Sequence, residues 1–320
     1  MKICIFGAGA VGGHMAAKLA AKGHDVSIVA RGAHLEAIRR NGLKLLHGKD
    51  TIAGRVRAAE RAEEHGPQDA VFVTLKANML GAFADQCAPL LRKDTAVVFV
   101  QNGIPWWYDA RLTRLDPDRR LASAVPMDNV VGGVAYSANE IVEPGVIENH
   151  VPGNNMFPIG RPDRQETSLI KALRKALEDA DMSSPALADI RQSVWQKAAQ
   201  MLGNSTLCVL TELPVGTVRG DPEMKKIVEK AGEEGRAIAK ALGVDVNAAP
   251  QRPSGGHASG AANHKPSILQ DYERGRPMEI EAQLMAPLAL ARAAKIHTPT
   301  LDVLVPLVAA KAAAKGLYSH

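Results

Sequence analysis

The chain is poor in cysteine and aromatics and has neither a long apolar run nor a dense block of charge, and each shortage removes a class of function. Its three cysteines, Cys4, Cys87 and Cys208, stand far apart in 320 residues with no Cys-x-x-Cys pair. Neither a zinc site nor a disulfide framework follows, and the three read as buried thiols in a reducing compartment. Aromatics make up 4%, which leaves few platforms for stacking bases. The net charge is +5, but Lys and Arg are scattered, so nucleic acid is not the expected partner. A basic site for phosphate-bearing cofactors or small acids explains that charge as well. No run approaches the roughly 20 apolar residues that a membrane span needs. The start, MKICIFGAGAVGG, is interrupted by glycine too early for a secretory leader and reads as a strand. A cytoplasmic protein that does not engage membranes is expected.

What is present is ordinary for a globular enzyme: 46% hydrophobic and 23% charged residues, in a length that suits two domains. In the first half, short apolar runs alternate with amphipathic segments, the pattern of a parallel sheet covered by helices. KICIF (2–6), DVSIVA (25–30), DAVFVTL (69–75) and AVVFV (96–100) are the strands, with helices over 11–23 and through AHLEAIRRNG. Glycine-punctuated segments follow, such as VVGGVAYSA and GVIENH, and these predict antiparallel strands that extend the sheet. ETSLIKALRKALEDA (166–180) is an amphipathic helix. From about Asp189 onward helical stretches dominate, over 190–210, 221–242, 278–295 and 299–315. The segment 250–266 is rich in Gly, Ser, Pro and Ala and reads as a loop. Its His257 and His264 lack a partner at metal-ligand spacing, so no metal is expected.

Gly7-Ala8-Gly9-Ala10-Val11-Gly12 forms a G-x-G-x-x-G turn between an apolar strand and an amphipathic helix, the context such a motif requires to bind a dinucleotide. Gly7 permits the tight turn, Gly9 lets backbone approach a pyrophosphate, and Gly12 allows close helix–strand packing. The helix N-terminus then presents its positive dipole end to phosphate. At the end of the second strand, where an NAD enzyme carries Asp or Glu for the ribose hydroxyl, this chain has Arg31. A guanidinium there binds a 2′-phosphate, so NADP(H) is the expected cofactor. The expected architecture is an α/β Rossmann domain over 1–188, a parallel sheet with an antiparallel extension, followed by an all-α domain over 189–320.

GAGAVGG with Arg31, VTLKA (73–77), QNGI (101–104), WQK (195–197), KPSILQDYERG (265–275) and MEIEA (278–282) together resemble the ketopantoate reductases along about residues 1 to 300. The resemblance implies a Rossmann domain and a helical domain that together bind NADPH and a 2-keto acid. Reduction of the keto carbon by hydride would be completed by a lysine that protonates the alkoxide. Carried over by position, Lys197 is the catalytic lysine, Glu279 the acid that partners the site, and Ser267 a substrate-binding serine. Lys76 and Asn102 would lie near the nicotinamide and its ribose, with Ala138 and Glu279 also at cofactor-contacting positions. A homodimer is compatible with the resemblance.

The residue types make chemical sense by themselves. An ammonium aimed at a carbonyl oxygen stabilises developing negative charge and donates the proton. Lys197 sits in an apolar helix, VWQKAAQML, where partial burial would lower its pKa, and Glu279 could supply its countercharge. Asn204 follows seven residues later, so both side chains leave the same helix face.

The match departs where the substrate would bind. The family places asparagines four and eight residues after the lysine; here they are Met201 and Ser205, with Asn204 beside the second. Met79 and Leu284-Met285 also replace polar or small residues. The reaction class is therefore firmer than ketopantoate as substrate, and a more apolar 2-keto acid is the alternative. Another two-domain dehydrogenase, of polyol, phosphate or opine type, and a non-catalytic NADP(H) sensor also stay open. Retention of both Lys197 and Glu279 argues against the sensor, which needs no proton donor.

Overall fold

The computed structural model describes residues 1–251 and 263–319; His257 and most of the expected 250–266 loop lie outside the described residues. The chain separates into two compact units. The first contains Met1–Gln101 and Asp116–Ile190, and the second contains Asn102–Leu115, Arg191–Ala249 and the described residues beyond 262. The short stretch Asn102–Leu115 thus belongs with the helices, far ahead of them in sequence.

In the first unit the strands are β1 (Lys2–Phe6), β2 (Asp25–Val29), β3 (Leu43–His47), β4 (Asp50–Gly54), β5 (Arg57–Ala59) and β6 (Ala70–Val73). Then come β7 (Ala96–Val100), β8 (Val130–Gly133), β9 (Asn139–Glu143), β10 (Val146–Asn149) and β11 (Ile159–Gly160). The larger sheet runs β11-β8-β7-β6-β1-β2-β5 and is parallel except for β11, which lies antiparallel to β8. β6 and β7 are buried at every residue, as strands covered on both faces must be. The covering helices include α1 (Ala10–Ala21) and α2 (Gly32–Asn41), the short α3 (Gly81–Ala84) and α4 (Arg120–Ala124), and α5 (Ser168–Asp179).

The expected antiparallel extension is limited to β11. β9 and β10 instead join β3 and β4 in a second sheet, ordered β4-β3-β10-β9, with β10 parallel to β3 and antiparallel to β9. Alternation along a strand reports which face is buried but carries no information about which edge it will pair with. Here Leu43, Leu45 and Ile147 are the buried apolar side chains of this sheet, and a Cβ on Gly13 of α1 would lie 2.8 Å from Ile147 Cδ1. α1 thus packs against both sheets, and its run from Gly12 to Leu19 is buried throughout.

That double cover encloses polar groups. His14 is fully buried, stacks on Phe157 with ring centroids 5.9 Å apart, and has no hydrogen-bond partner at either ring nitrogen. Lys18, one turn on, is 3% exposed and donates to His47 Nε2 at 3.3 Å, with Asp181 Oδ2 at 3.5 Å. Desolvation, with Lys18 and His47 nearby, holds the His14 imidazole down to about 3. The three cysteines are free and buried, and burial pushes Cys4 up to about 12 and Cys87 and Cys208 up to about 11, so they are inert hydrophobes.

The second unit carries α6 (Ile190–Thr211), α7 (Val215–Gly220), α8 (Pro222–Ala241), α9 (Ser267–Glu273), α10 (Ala286–Ala293) and α11 (Leu301–Ala314). Asp221 caps α8 by accepting from the backbone N–H groups of Glu223 and Met224, and Pro222 follows at the first helical position. From within α8 the Glu234 carboxylate accepts the Thr300 and Leu301 N–H groups, both at 2.8 Å, and so caps α11. α6 and α8 approach closely: a Cβ on Gly235 would stand 3.0 Å from Ala199 Cα. No helix among the described residues is long and apolar enough to cross a membrane.

The buried His14 generates a pH test. Its folded pKa lies below the ordinary 6.5, so the native state holds it neutral while the unfolded chain takes up a proton. Its contribution is fully present above pH 6.5 and is lost as pH falls toward 3, by at most about 1.4 kcal/mol per pH unit. Urea unfolding at pH 7.5, 5.5 and 4.5 should show a stability loss that His14→Phe reduces. An identical pH dependence in the two proteins would count against this account.

Candidate active site

In the first unit the site grows from the carboxyl ends of β1, β2 and β6. The chain leaves β1 through Gly7, whose N–H donates to the Val29 carbonyl at 3.0 Å and ties the turn to the end of β2, two residues before Arg31. The Thr74 hydroxyl, just past β6, donates to the Gly7 carbonyl at 2.6 Å. A Cβ on Gly12 would overlap Thr74 Oγ1 and reach 2.5 Å from the Gly7 oxygen and 2.9 Å from Ile5. No side chain fits there, and this sets the close seat of α1 on the sheet. Gly9 is the opposite case: a Cβ would meet only the Gly7 carbonyl oxygen, at 4.0 Å. The backbone is bare on that side, as close approach of a pyrophosphate requires.

The charges around this turn agree. α1 begins without a side-chain cap and without an acidic residue in its first turn, so its dipole end is available to an anion. Arg31 is exposed at the N-cap of α2 and has no ion pair or hydrogen bond among the described residues. Gln101, the buried residue that follows β7, has neither amide atom hydrogen-bonded. A bare glycine turn, an uncommitted guanidinium and an unsatisfied buried amide fit a phosphorylated dinucleotide. Lys76 is half-buried shortly past β6, at the entry of a 3-10 turn over Ala77–Met79. Ala138 lies before β9, where its carbonyl accepts from the His150 N–H and the Asn149 amide.

In the second unit Asn102 and Glu279 are brought together by backbone. Asn102 begins a turn whose Gly103 has φ +78°, a conformation natural to glycine. A Cβ on Gly103 would lie 2.7 Å from the Gln283 nitrogen and overlap the Ala282 carbonyl, and the Ile104 N–H donates to that carbonyl at 2.8 Å. The segment it rests on, Glu281–Met285, is a π-helical turn. Pro287 accounts for the widening: it has no N–H for the Gln283 carbonyl four residues back. Glu279 is 6% exposed and stands immediately before this helix, and Gln283 Nε2 donates to its Oε2 at 3.2 Å. The spacing of acid and amide in EIEAQ, with Pro287 four residues on, is a signal for this arrangement that the motif reading passed over.

α6 carries the remaining candidates. It begins at Ile190, so Lys197 lies two turns in and is half-buried. Asn204, also half-buried, accepts from Arg219 Nε at 2.8 Å and donates to the Gln200 carbonyl at 2.8 Å, whereas Ser205 is turned into the buried side. Ser267 is exposed at the first position of α9. The Asn102–Leu115 stretch is fastened to α6 by Trp195 Nε1 donating to Tyr108 Oη at 2.7 Å, and the Arg191 guanidinium lies over the Trp107 and Tyr108 rings. No group of three or more His, Cys, Asp or Glu among the described residues could hold a metal; the described His264 is exposed, with its carbonyl accepting from Val215.

The uncommitted Arg31 carries a prediction about cofactor choice. NADPH should bind at least about tenfold more tightly than NADH, and Arg31→Ala should remove most of the difference. Fluorescence titration of both cofactors against both proteins measures it. Equal affinities in the unaltered protein would overturn the role given to Arg31.

Comparison with known proteins bears on both units. Residues 3–162 match the family model described as ketopantoate reductase PanE/ApbA, and residues 189–312 match that of its C-terminal region. The chain is 40% identical to a 2-dehydropantoate 2-reductase of Mesorhizobium japonicum over 100% of both sequences. Among solved structures, a PanE/ApbA family ketopantoate reductase from Ralstonia eutropha JMP134 superposes with a TM-score of 0.81 at 25% identity, covering 99% of this chain and 100% of that one. A D-mandelate dehydrogenase, solved with NADH and anilino(oxo)acetate, shares the fold with a TM-score of 0.83 at 21% identity over 99% of this chain and 100% of its own. With both family models matched and a full-length relative at this identity, the chain belongs to the ketopantoate reductase family of oxidoreductases.

Proposed function

We propose that this protein reduces a 2-keto acid to the 2-hydroxy acid with NADPH, with ketopantoate as the first candidate substrate. The observation that carries the reading is the full-length identity with the Mesorhizobium 2-dehydropantoate 2-reductase. It is supported by the bare Gly7–Gly12 turn and the free Arg31 in one unit, and by the buried Glu279 tied to the Asn102 turn in the other.

When bound, NADPH supplies the hydride that reduces the keto carbon. The Gly7–Gly12 turn and the N-terminus of α1 would hold its pyrophosphate, Arg31 its 2′-phosphate, and Lys76 and Asn102 the ribose and nicotinamide end. Ala138 is a further candidate contact. Lys197 donates the proton that the carbonyl oxygen takes up as it becomes a hydroxyl, and its positive charge stabilises the oxygen before the proton arrives. Glu279 supplies the countercharge that keeps a half-buried ammonium ready to donate, and also borders the cofactor. Ser267, Asn204, Ser205 and, beside its cofactor role, Asn102 are the candidates for the substrate's carboxylate and hydroxyl. The inert thiols suit a cytoplasmic, reducing setting.

A second reading concerns the acid. Met79 and Met201 are half-buried and Leu284 is fully buried within the π-turn, where the family reading expects polar or small groups. Apolar side chains there withhold hydrogen bonds from a substrate hydroxyl, and such a loss changes specificity by large factors. The reading is therefore extended to 2-keto acids with bulky apolar side chains.

Two measurements test these readings. NADPH oxidation over a panel of 2-keto acids that includes ketopantoate should give turnover of at least one, with apolar acids comparable to ketopantoate or better. No turnover of any 2-keto acid would defeat the proposal, and ketopantoate preferred by several orders of magnitude would defeat the extension alone. On the best substrate, Lys197→Ala should lower kcat by about 10²–10⁴-fold with NADPH affinity nearly unchanged. Near-normal kcat in that variant would assign the proton to another group.

A further inference from the structure

We propose that Gln283 is a positioning residue of the active site, orienting the Glu279 carboxylate from within the π-turn; this rests on the site reading given to Glu279. Gln283 is 1% exposed, and its Nε2 donates to Glu279 Oε2 at 3.2 Å. Its Oε1 is buried with no hydrogen-bond partner. A glutamine that served only to hold the fold would have both ends of its amide tied, because a buried unmade hydrogen bond costs stability. Here the amide's one side-chain bond goes to the carboxylate. The carboxylate also dictates which way the amide faces: reversed, Oε1 would stand against an anionic oxygen and repel it.

The backbone gives this contact its precision. The Gln283 N–H donates to the Glu279 carbonyl at 3.1 Å, so amide and acid are locked one helical turn apart. The next carbonyl back, that of Ala282, receives the Ile104 N–H, and Gly103 lies against the Gln283 nitrogen. The π-turn therefore registers Asn102 and Glu279 on one rigid piece of backbone, and Gln283, from the same turn, holds Oε2 of the Glu279 side chain. A site carboxylate that must be aimed needs this second layer of support.

The test is a double-mutant cycle in the full-length protein, with NADPH and the best 2-keto acid from the panel. Gln283→Met keeps length and apolar bulk while removing the donor; Gln283→Glu keeps the shape and places a second carboxyl against the first. Gln283→Met should lower kcat about tenfold or more, with a much smaller change in KM for the keto acid, and Gln283→Glu should lower it further. Combined with Glu279→Gln, the Gln283→Met loss should shrink to about twofold or less, since residues that act as a unit are not additive. An equal fold loss in both backgrounds, or no loss beside Glu279, overturns the inference and leaves the role of Glu279 standing. A Glu279→Gln protein with unaltered kinetics overturns both. Should Gln283→Met fail to fold, as judged by its thermal transition, the isosteric Gln283→Glu completes the same cycle.

Discussion

The first unit depends on a contact made by an atom that is missing. At Gly12 the start of α1 lies against Thr74, Ile5 and the Gly7 carbonyl at distances no side chain allows. That approach brings the amino end of the helix to the carboxyl ends of the central parallel strands. It also brings the rest of α1 near enough to pack against the second sheet. The anion-facing turn, the burial of His14 and Lys18 and the position of Arg31 after β2 all follow from it. A methyl at Gly12 would have to push helix and sheet apart, and everything seated on α1 would move with them.

The second unit solves the related problem of holding a few polar groups among packed helices. Two carboxylates show two solutions. Glu234 is spent on architecture, accepting two backbone N–H groups to start α11. Glu279 is more deeply buried than Glu234 and accepts from a side-chain amide whose other end is unbonded. A carboxylate with backbone donors is fixed with the fold, whereas one aimed by a side chain can be tuned by a single substitution.

The π-turn joins these ideas. Pro287 removes one rung from the helical ladder, and the widened turn takes in an N–H from the Asn102 segment, which is remote in sequence. A regular helix would have kept its carbonyls to itself. The aromatic and cationic packing of Trp107, Tyr108, Trp195 and Arg191 then holds that segment to α6, the helix that carries Lys197.

Much of this was legible in the residues alone, because it depends on short-range rules. Strand and helix alternation through the first half, the helical character beyond Asp189, the glycine turn of residues 7–12 and the inert cysteines all follow from local periodicity and the steric freedom of glycine. The cationic end of β2 is likewise a matter of which residue stands two positions past Val29. Three things were decided only by the tertiary structure. β9 and β10 joined β3 rather than the main sheet, since a strand's alternation does not name its partner edge. His14, an ordinary polar position on an amphipathic helix, became buried because α1 is covered from two sides. Gln283 acquired its place beside Glu279, with Asn102 docked on the same turn, because backbone groups far apart in sequence met where Pro287 had opened the helix.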